Sequence, residues 1–204
     1  MKIPTSLKRD YKICSNCVMD TSDSKIKFDK NGVCDHCENF KKNDLKNWEP
    51  NERGSLYLER KIKKIRSTKG KNGYDSILGL SGGCDSSFML HKVVNDYGLR
   101  PLVFHVDCGW NTQEAVNNIE NMVNKLNLEL FTEVINWRQM SSLQLAYFKS
   151  GISGIDVPQD HANLSVLYHF ANKYNIKYIL NGQNVSTECV RNPLEWIYFG
   201  TDMS

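Results

Sequence analysis

Two kinds of hydrophobic pattern follow one another along the chain, and the change between them falls near residue 73. From Tyr74 onward, short apolar runs typical of buried strands alternate with longer segments in which apolar residues recur every three or four positions. The predicted order of elements is β-α-β-α-β-α-α-β. We expect strands at 76–80, 101–106, 128–134 and 177–180, and helices at 85–97, 112–126, 140–149 and 159–174. Repeated crossovers of this kind favour an α/β fold, with a parallel sheet and helices on both faces.

The residues before this change are polar and rich in lysine. Residues 1–73 contain 18 Lys and Arg against 10 Asp and Glu, a net charge of +8, whereas residues 74–204 contain 8 against 13, a net charge of −5. We therefore predict a small cysteine-containing module at 1–50, a basic linker helix at 51–73 and the α/β domain at 74–204. A solvated surface explains the basic excess most simply, and contact with nucleic acid, an acidic partner or a phosphorylated substrate is the alternative.

The linker has the periodicity of an amphipathic helix over residues 56–66. Leu58, Ile62 and Ile65 fall on one stripe, with basic residues around them. We expect this stripe to be the buried face of the helix.

Four of the seven cysteines form two C-x2-C pairs with sixteen residues between them. Cys14 and Cys17 are the first pair, and Cys34 and Cys37 are the second. Each pair places two thiolates on one tight turn, and two such turns can converge on one tetrahedral ion, which is typical of zinc. Four thiolates leave no coordination position open for water, so we predict a structural zinc in a zinc-ribbon-like module. An iron–sulfur cluster is the alternative.

The segment between the two cysteine pairs has the pattern of a hairpin. Over residues 18–33 we expect Ile26 and Phe28 to face inward and Asn31-Gly32 to form the turn. His36 lies inside the second pair, so we expect it to support the site or to lie on the surface.

Composition predicts a cytoplasmic protein without membrane insertion. Hydrophobic residues make up 40% of the chain, which is enough for a core, yet no apolar run approaches the roughly 18 residues that cross a bilayer. The first residues contain no apolar signal segment. In that compartment the cysteines are expected to bind metal or to remain reduced thiols.

The sequence Ser81-Gly82-Gly83-Cys84-Asp85-Ser86-Ser87 lies where the first predicted strand gives way to a helix. Two glycines let the backbone approach an anion closely, and the serines add donors at the positive end of the helix. The sequence lacks the lysine of the Walker motif and does not match the dinucleotide pattern. It resembles the S-G-G-x-D-S loop of the PP-loop ATP pyrophosphatases, which split ATP into AMP and pyrophosphate; an ordinary Gly/Ser turn is the alternative.

Ligands of open parallel sheets bind beyond the carboxyl ends of the strands, and three further polar segments are predicted there. They are residues 107–112, 154–161 and 181–188. In the first, the Gly109-Trp110 turn could supply backbone and aromatic contacts to adenine or ribose. We expect all three to face the loop at 81–87, with ordinary loop polarity as the alternative.

Several motifs together resemble a narrower family, the N-acetyl sugar amidotransferases. They are Cys14-x2-Cys17-Val18-Met19-Asp20-Thr21, Gly32-Val33-Cys34-x2-Cys37, Tyr74-Asp75-Ser76-Ile77-x-Gly79-Leu80 leading into the Ser81 loop, and Gly182-Gln183-Asn184. Members of that family act in making bacterial surface polysaccharides and nonulosonic acids. They are considerably longer, so the resemblance also implies that this chain is an amino-terminal portion or a truncated copy.

The resemblance implies conversion of a sugar's acetamido group to an acetamidino group, with ATP as co-substrate, Mg²⁺ bound near the phosphates and ammonia from a separate glutaminase subunit. It assigns catalytic roles to Asp85, Ser86 and Asp107, while Asp156 and Asp160 are further candidates and Cys84 is expected to take no part. The ATP-binding set is Ser81, Gly82, Gly83, Asp85, Ser86, Ser87, Asp107, Gly109, Gly182 and Gln183.

Two other functions fit the same loop. In a tRNA-modifying enzyme the PP-loop would adenylate a base carbonyl before sulfur replaces the oxygen, and the basic module would bind RNA. The basic segment lacks the interleaved aromatic residues of a stacking platform, which argues against nucleic acid as a partner. The other alternative is a non-catalytic nucleotide-binding scaffold for a glutaminase.

Overall fold

The computed structural model describes residues 10–151 and 154–182. They form two compact units, one made of residues 10–54 and the other of residues 55–151 and 155–182, which are described separately below. Gln183 and the rest of the predicted segment at 181–188 beyond Gly182 lie outside the described residues. None of the helices described is long and apolar enough to cross a membrane.

The first unit contains little regular structure. Its helix α1 spans Asp35–Asn39 and continues as a π-helical turn at Phe40–Asp44 and a 3-10 turn at Leu45–Asn47. Isolated antiparallel bridges join Ile13 to Asp20 and Phe28 to Cys34. Ile26 is buried as expected, and Phe28 packs against the cysteines while partly exposed.

The predicted hairpin over residues 18–33 is wrong in its extent, because the antiparallel pairing within that range is limited to the isolated bridge between Phe28 and Cys34 across the Asn31-Gly32 turn. Before that bridge the chain makes consecutive turns: Asp20 accepts from the backbone N–H of Ser22 at 2.8 Å, and Asp23 accepts from that of Lys25 at 2.9 Å. Such local side-chain acceptors compete with strand pairing. The turn at Asn31-Gly32 does form, with Gly32 at φ +81°.

Helix α2 spans Glu52–Ser67, and its buried residues are Ile62 and Ile65. Leu58, the third member of the predicted stripe, is 41% exposed. Ile62 and Ile65 belong to a hydrophobic core cluster, whereas Leu58 lies one helical turn earlier and outside that cluster. The prediction of a buried Leu58 is therefore wrong.

Among the residues that the structure describes, four strands form one parallel sheet in the order β3-β2-β1-β4. Their bounds are β1 Ser76–Gly79, β2 Pro101–Asp107, β3 Leu130–Val134 and β4 Ile179–Leu180. The fourth strand is shorter than predicted, since only two of its residues pair with β1. The central strand β1 thus lies between β2 and β4, and all four strands end at the same edge.

The helices of the second unit follow the predicted order with shifted ends. They are α3 Cys84–His91, α4 Gln113–Lys125, α5 Trp137–Ser150 and α6 Val157–Lys173. The single helix predicted at 85–97 is instead α3 followed by a π-helical turn at Lys92–Asp96. Thr112 caps α4 as predicted, accepting from Ala115 N–H at 3.2 Å, and α5 begins three residues early because Asn136 caps it.

Two hydrophobic clusters cover the two faces of the sheet. Successive strand residues point to opposite faces, so Leu78 and Val103 join one cluster while Ile77 and Leu102 join the other. The first cluster includes residues of α2, α3 and α4, and the second includes residues of α6. The predicted fold class, a parallel sheet with helices on both faces, is confirmed.

Both clusters should contribute to the stability of the second unit, and Leu102 tests the contribution of the second. Leu102 is fully buried, so Leu102→Ala leaves a cavity and is expected to lower the free energy of unfolding by about 2–5 kcal/mol in chemical denaturation. Leu145→Ala is the matched control, because that side chain is 51% exposed on α5 and its loss should cost at most about 0.5 kcal/mol. Equal losses in the two variants would contradict this account of the core.

Candidate functional site

The four cysteine Sγ atoms of the first unit all lie within 4.8 Å of one another. Cys14 and Cys37 are 3.9 Å apart, and Cys17 and Cys34 are 3.6 Å apart. A tetrahedral zinc with Zn–S bonds of about 2.3 Å places its sulfurs roughly 3.8 Å apart. The spacing therefore fits one ion at the centre. It disfavours the iron–sulfur alternative, in which several irons and sulfides separate the thiolates.

Backbone N–H groups point at the sulfur atoms. Cys14 Sγ accepts from Cys34 N–H at 3.2 Å and from Asn16 N–H at 3.3 Å, and Cys37 Sγ accepts from the Asn16 side chain at 3.3 Å. Burial raises the pKa of the Cys14 thiol, but the backbone donors outweigh burial and lower that pKa to about 6. Burial raises the pKa of Cys34 to about 12. Four thiolates this close repel one another, and a bound dication would stabilise all of them in the charged form.

The histidine inside the second cysteine pair supports this unit from within. His36 is 7% exposed, and its Nε2 lies 2.6 Å from Oδ2 of the equally buried Asp23. His36 is therefore a supporting residue and not a surface residue. Asp23 was not singled out by the sequence, because an aspartate in a polar segment gives no sign that it will be buried.

Loss of the ion should unfold the first unit. The double variant Cys14→Ser, Cys37→Ser is expected to reduce zinc content from about one ion per chain to near zero, measured by elemental analysis, and to make residues 10–54 sensitive to protease. Cys84→Ser is the control, because Cys84 is exposed and outside the cluster. Retention of zinc by the double variant would show that these cysteines are not the ligands.

In the second unit, the loop at 81–87 follows directly from β1. Leu80 N–H donates to Phe104 O at 2.8 Å, which extends the strand pairing to the start of the loop. Ser86 folds back over the loop: its Oγ accepts from Ser81 N–H at 3.3 Å and lies 3.0 Å from Ser81 Oγ. Gly83 precedes α3 and offers no side chain to cap its first N–H groups. These groups remain directed toward an anion placed at the helix start.

Gly82 allows the loop to pack on α4. Its φ is +78°, and a Cβ at this position would lie 2.4 Å from Ala115 O. Asn118 of α4 donates from Nδ2 to Gly82 O at 3.1 Å. Both the backbone conformation and the close approach therefore require glycine.

Gly182 brings the end of β4 next to the loop at 81–87. A Cβ on Gly182 would lie 2.9 Å from the carbonyl carbon of Asp85 and 3.1 Å from Ser86 N. The structure thus places Gly182 against the first turn of α3, next to Asp85 and Ser86. Ser86 and Ser87 are half-buried, and Ser81 and Asp85 are exposed.

Asp107 ends β2, and its side chain organises the following turn. Asp107 Oδ1 accepts from Gly109 N–H at 2.8 Å. Gly109 has φ +86°, and a Cβ there would lie 2.3 Å from the Trp137 ring. Trp110 meets Trp137 edge to face at 5.2 Å, and each ring is about half exposed. The turn after β2 therefore places the Asp107 carboxylate near two accessible aromatic rings.

Sequence reasoning missed His105, a buried residue of β2. Its Nδ1 lies 2.8 Å from Leu80 O, and its Nε2 lies 3.0 Å from Asn111 Nδ2. A histidine within an otherwise apolar strand was the available signal. Asp156 and Asp160 are both exposed at the start of α6, and no contact among the described residues joins either to the loop at 81–87.

Comparison with known proteins gives a distant relationship over about two thirds of the chain. No protein-family model matches the chain. A glutamine-hydrolysing GMP synthase from Thermosipho africanus is 27% identical over 148 residues, which are 67% of this chain and 26% of that protein. The glutamine-dependent NAD+ synthetase of Acinetobacter baumannii superposes with a TM-score of 0.51 at 22% identity, covering 65% of this chain and 25% of that one.

The chain therefore spans about a quarter of the length of both relatives. The sequence match and the shared fold support membership of the PP-loop ATP pyrophosphatase superfamily. They do not reach the narrower N-acetyl sugar amidotransferase family, which stays a prediction.

The two glycines of the loop should respond differently to substitution. Gly82→Ala forces a Cβ against Ala115 O at a positive φ, so we expect a loss of thermal stability and of ATP binding. Gly83→Ala is the matched comparison, because φ at Gly83 is −79° and its Cβ would contact only Ser81 Oγ at 3.4 Å. Differential scanning fluorimetry should show a clear fall in the unfolding temperature for the first variant alone; similar falls would refute the packing argument.

Proposed function

We propose that this chain is the adenylating part of an ATP-dependent amidotransferase. It transfers AMP to the acetamido oxygen of an N-acetylated sugar, and ammonia then converts that group to an acetamidino group, with release of AMP and pyrophosphate. The placement of Gly182 against the first turn of α3 is the observation that carries the proposal. It puts the ends of β1 and β4 at one anion-binding loop whose residues match a pyrophosphatase and not a Walker motif.

Asp107 and Gly109 follow the neighbouring strand β2 at this edge, where we assign them to the ribose of ATP. The backbone of residues 81–83 and the hydroxyls of Ser86 and Ser87 bind the β- and γ-phosphates. Asp85 and Asp107 are the residues that would hold Mg²⁺, which would neutralise phosphate charge when bound. The glutamine-dependent NAD+ synthetase that shares this fold has been solved with ADP, so a nucleotide ligand is compatible with the fold.

Adenylation makes the amide oxygen part of a good leaving group. An amide is a poor electrophile, and its oxygen does not leave as oxide. Attack of the amide oxygen on the α-phosphorus expels pyrophosphate and leaves an O-adenylated imidate. Ammonia then adds to the imidate carbon, AMP departs with the former amide oxygen, and loss of a proton gives the amidine. The loop contributes by positioning and by stabilising charge on the leaving pyrophosphate.

The sugar substrate rests on the combination of motifs around the cysteine pairs and the loop. The ammonia source rests on the relatives, whose names describe glutamine hydrolysis or glutamine dependence. Among the described cysteines outside the metal site, Cys84 is exposed and Cys108 is buried, and neither has a histidine bonded to it as a base. We therefore assign glutamine hydrolysis to a separate subunit or domain.

The proposal predicts AMP release that requires both ammonia and an N-acetylated sugar. Asp85→Ala and Ser86→Ala should each lower the rate of AMP formation by about 100-fold or more, because each removes a group that contacts the phosphates or their cation. Zinc content should stay unchanged. Release is followed by chromatography of the nucleotides with UDP-N-acetylglucosamine as the test sugar.

Ser150→Ala is the control for this measurement, since that hydroxyl only donates to Tyr147 O at the end of α5. Formation of ADP in place of AMP would overturn the proposed mechanism. AMP formation that depended on tRNA and not on a sugar would replace the substrate by a nucleic acid.

A further inference from the structure

We infer that His105 and Asn118 are positioning residues that orient two peptide groups of the anion-binding loop from behind. This inference rests on the proposed function of the loop as a phosphate site. Neither residue belongs to the loop, and neither was assigned a role above.

The argument starts from the planarity of the peptide bond. In a trans peptide the C=O of one residue and the N–H of the next point in opposite directions within one plane. The carbonyl of Leu80 therefore sets the direction of the Ser81 N–H. In the same way the carbonyl of Gly82 sets the direction of the Gly83 N–H.

Each of these two carbonyls is held by one side chain. Leu80 O lies 2.8 Å from His105 Nδ1, and Gly82 O accepts from Asn118 Nδ2 at 3.1 Å. A carbonyl only accepts, so His105 Nδ1 carries a hydrogen, and we assign the tautomer on this basis. Through the two peptide planes, these bonds direct the N–H groups of Ser81 and Gly83 away from β2 and α4.

The two contacts are mechanically linked through α4. Nε2 of His105, the acceptor in this tautomer, lies 3.0 Å from Asn111 Nδ2. Asn111 immediately precedes Thr112, whose hydroxyl caps α4, and Asn118 lies on the same helix. One helix therefore reaches the loop twice, directly through Asn118 and indirectly through Asn111 and His105.

The hydrogen bonds within the loop come from hydroxyls that a phosphate would compete with: Ser81 N–H donates to Ser86 Oγ and Gly83 N–H donates to Ser81 Oγ, each at 3.3 Å. When an anion takes the place of these hydroxyls, the contacts from His105 and Asn118 remain to orient the two peptide groups. Peptide groups next to glycine can reorient at small cost, and Gly82 already has a positive φ. An N–H group that samples several directions loses affinity for a fixed anion. The positioning contacts should therefore contribute to phosphate affinity more than to the stability of the fold.

The test is calorimetric titration of the full chain with inorganic pyrophosphate and with ATP and Mg²⁺. Asn118→Ala and Asn111→Ala should each weaken binding of both ligands by about three- to tenfold, the effect of one hydrogen bond. Their unfolding temperatures should stay close to that of the unmodified chain. Asn117→Ala is the matched control on α4, because Asn117 bonds only to Gln113 on the exposed face.

Two substitutions at His105 separate its two bonds. The amide nitrogen of asparagine can occupy the position of Nδ1, so His105→Asn keeps the bond to Leu80 O and loses the bond to Asn111. His105→Phe loses both and should weaken pyrophosphate binding more than His105→Asn does. Because His105→Asn and Asn111→Ala remove the same bond, their combination should be no weaker than either alone.

Unchanged affinity in Asn118→Ala and Asn111→Ala would overturn the inference while leaving the proposed function intact. Weakened affinity together with an equal loss of stability would also overturn it, since the residues would then only support the fold. If His105→Phe fails to fold, His105→Asn and Asn118→Ala decide the question. An unmodified chain that binds ATP but forms no AMP with a sugar refutes the proposed function alone, and one that binds neither ligand refutes both.

Discussion

Parallel pairing of β1 with a strand on each side is the constraint from which the candidate site follows. Because β2 and β4 run in the same direction as β1, their carboxyl ends meet at one edge, and the residues that follow each strand are brought together without long-range side-chain contacts. Asp107 arrives from β2 and Gly182 from β4, on opposite sides of the loop that follows β1. The backbone also packs closely at two glycines, with Gly82 against α4 and Gly182 against α3. A side chain at either position would collide with a carbonyl or a neighbouring peptide group.

The first unit obtains its order by a different route. It has no sheet and only a small apolar cluster, built mostly from the cysteines themselves with Ile26 at its centre. A unit of this size gains too little from burial to offset its conformational entropy, so metal binding and folding are expected to be one event. The buried pair of Asp23 and His36 adds a polar contact next to the thiolates, and the N–H donors around Cys14 act before any ion is bound by favouring one thiolate.

Those features that depend on periodicity and local chemistry could be predicted from the sequence. The β-α order, the Thr112 cap, the cysteine cluster and the anion-binding loop all follow from residues that are close in sequence. The extent of the hairpin and the buried Leu58 were wrong for the same reason: whether a residue pairs or becomes buried depends on what lies opposite, and the chain pattern contains no information about that. His105 illustrates the limit most clearly, because its importance comes from one carbonyl 25 residues away and one amide six residues away.

The composition of the loop at 81–87 also explains why similarity to known proteins supports a superfamily but does not specify a substrate. In the proposed function the phosphates are bound mainly by backbone N–H groups, so that part of the chemistry would depend on glycines, small hydroxyls and the sheet behind them, which enzymes with different acceptors can share. The match to a GMP synthase covers 67% of this chain but only 26% of that protein. Selection of an acceptor would require side chains beside the loop, and Trp110 and Trp137 lie next to the turn that follows Asp107. Trp110 lies in the turn after β2 and Trp137 begins α5, and each is about half exposed, so both can contact a ligand at this edge. We therefore expect residues beside β2 and β3 to select the acceptor, while in the proposed function the loop after β1 would bind the phosphates.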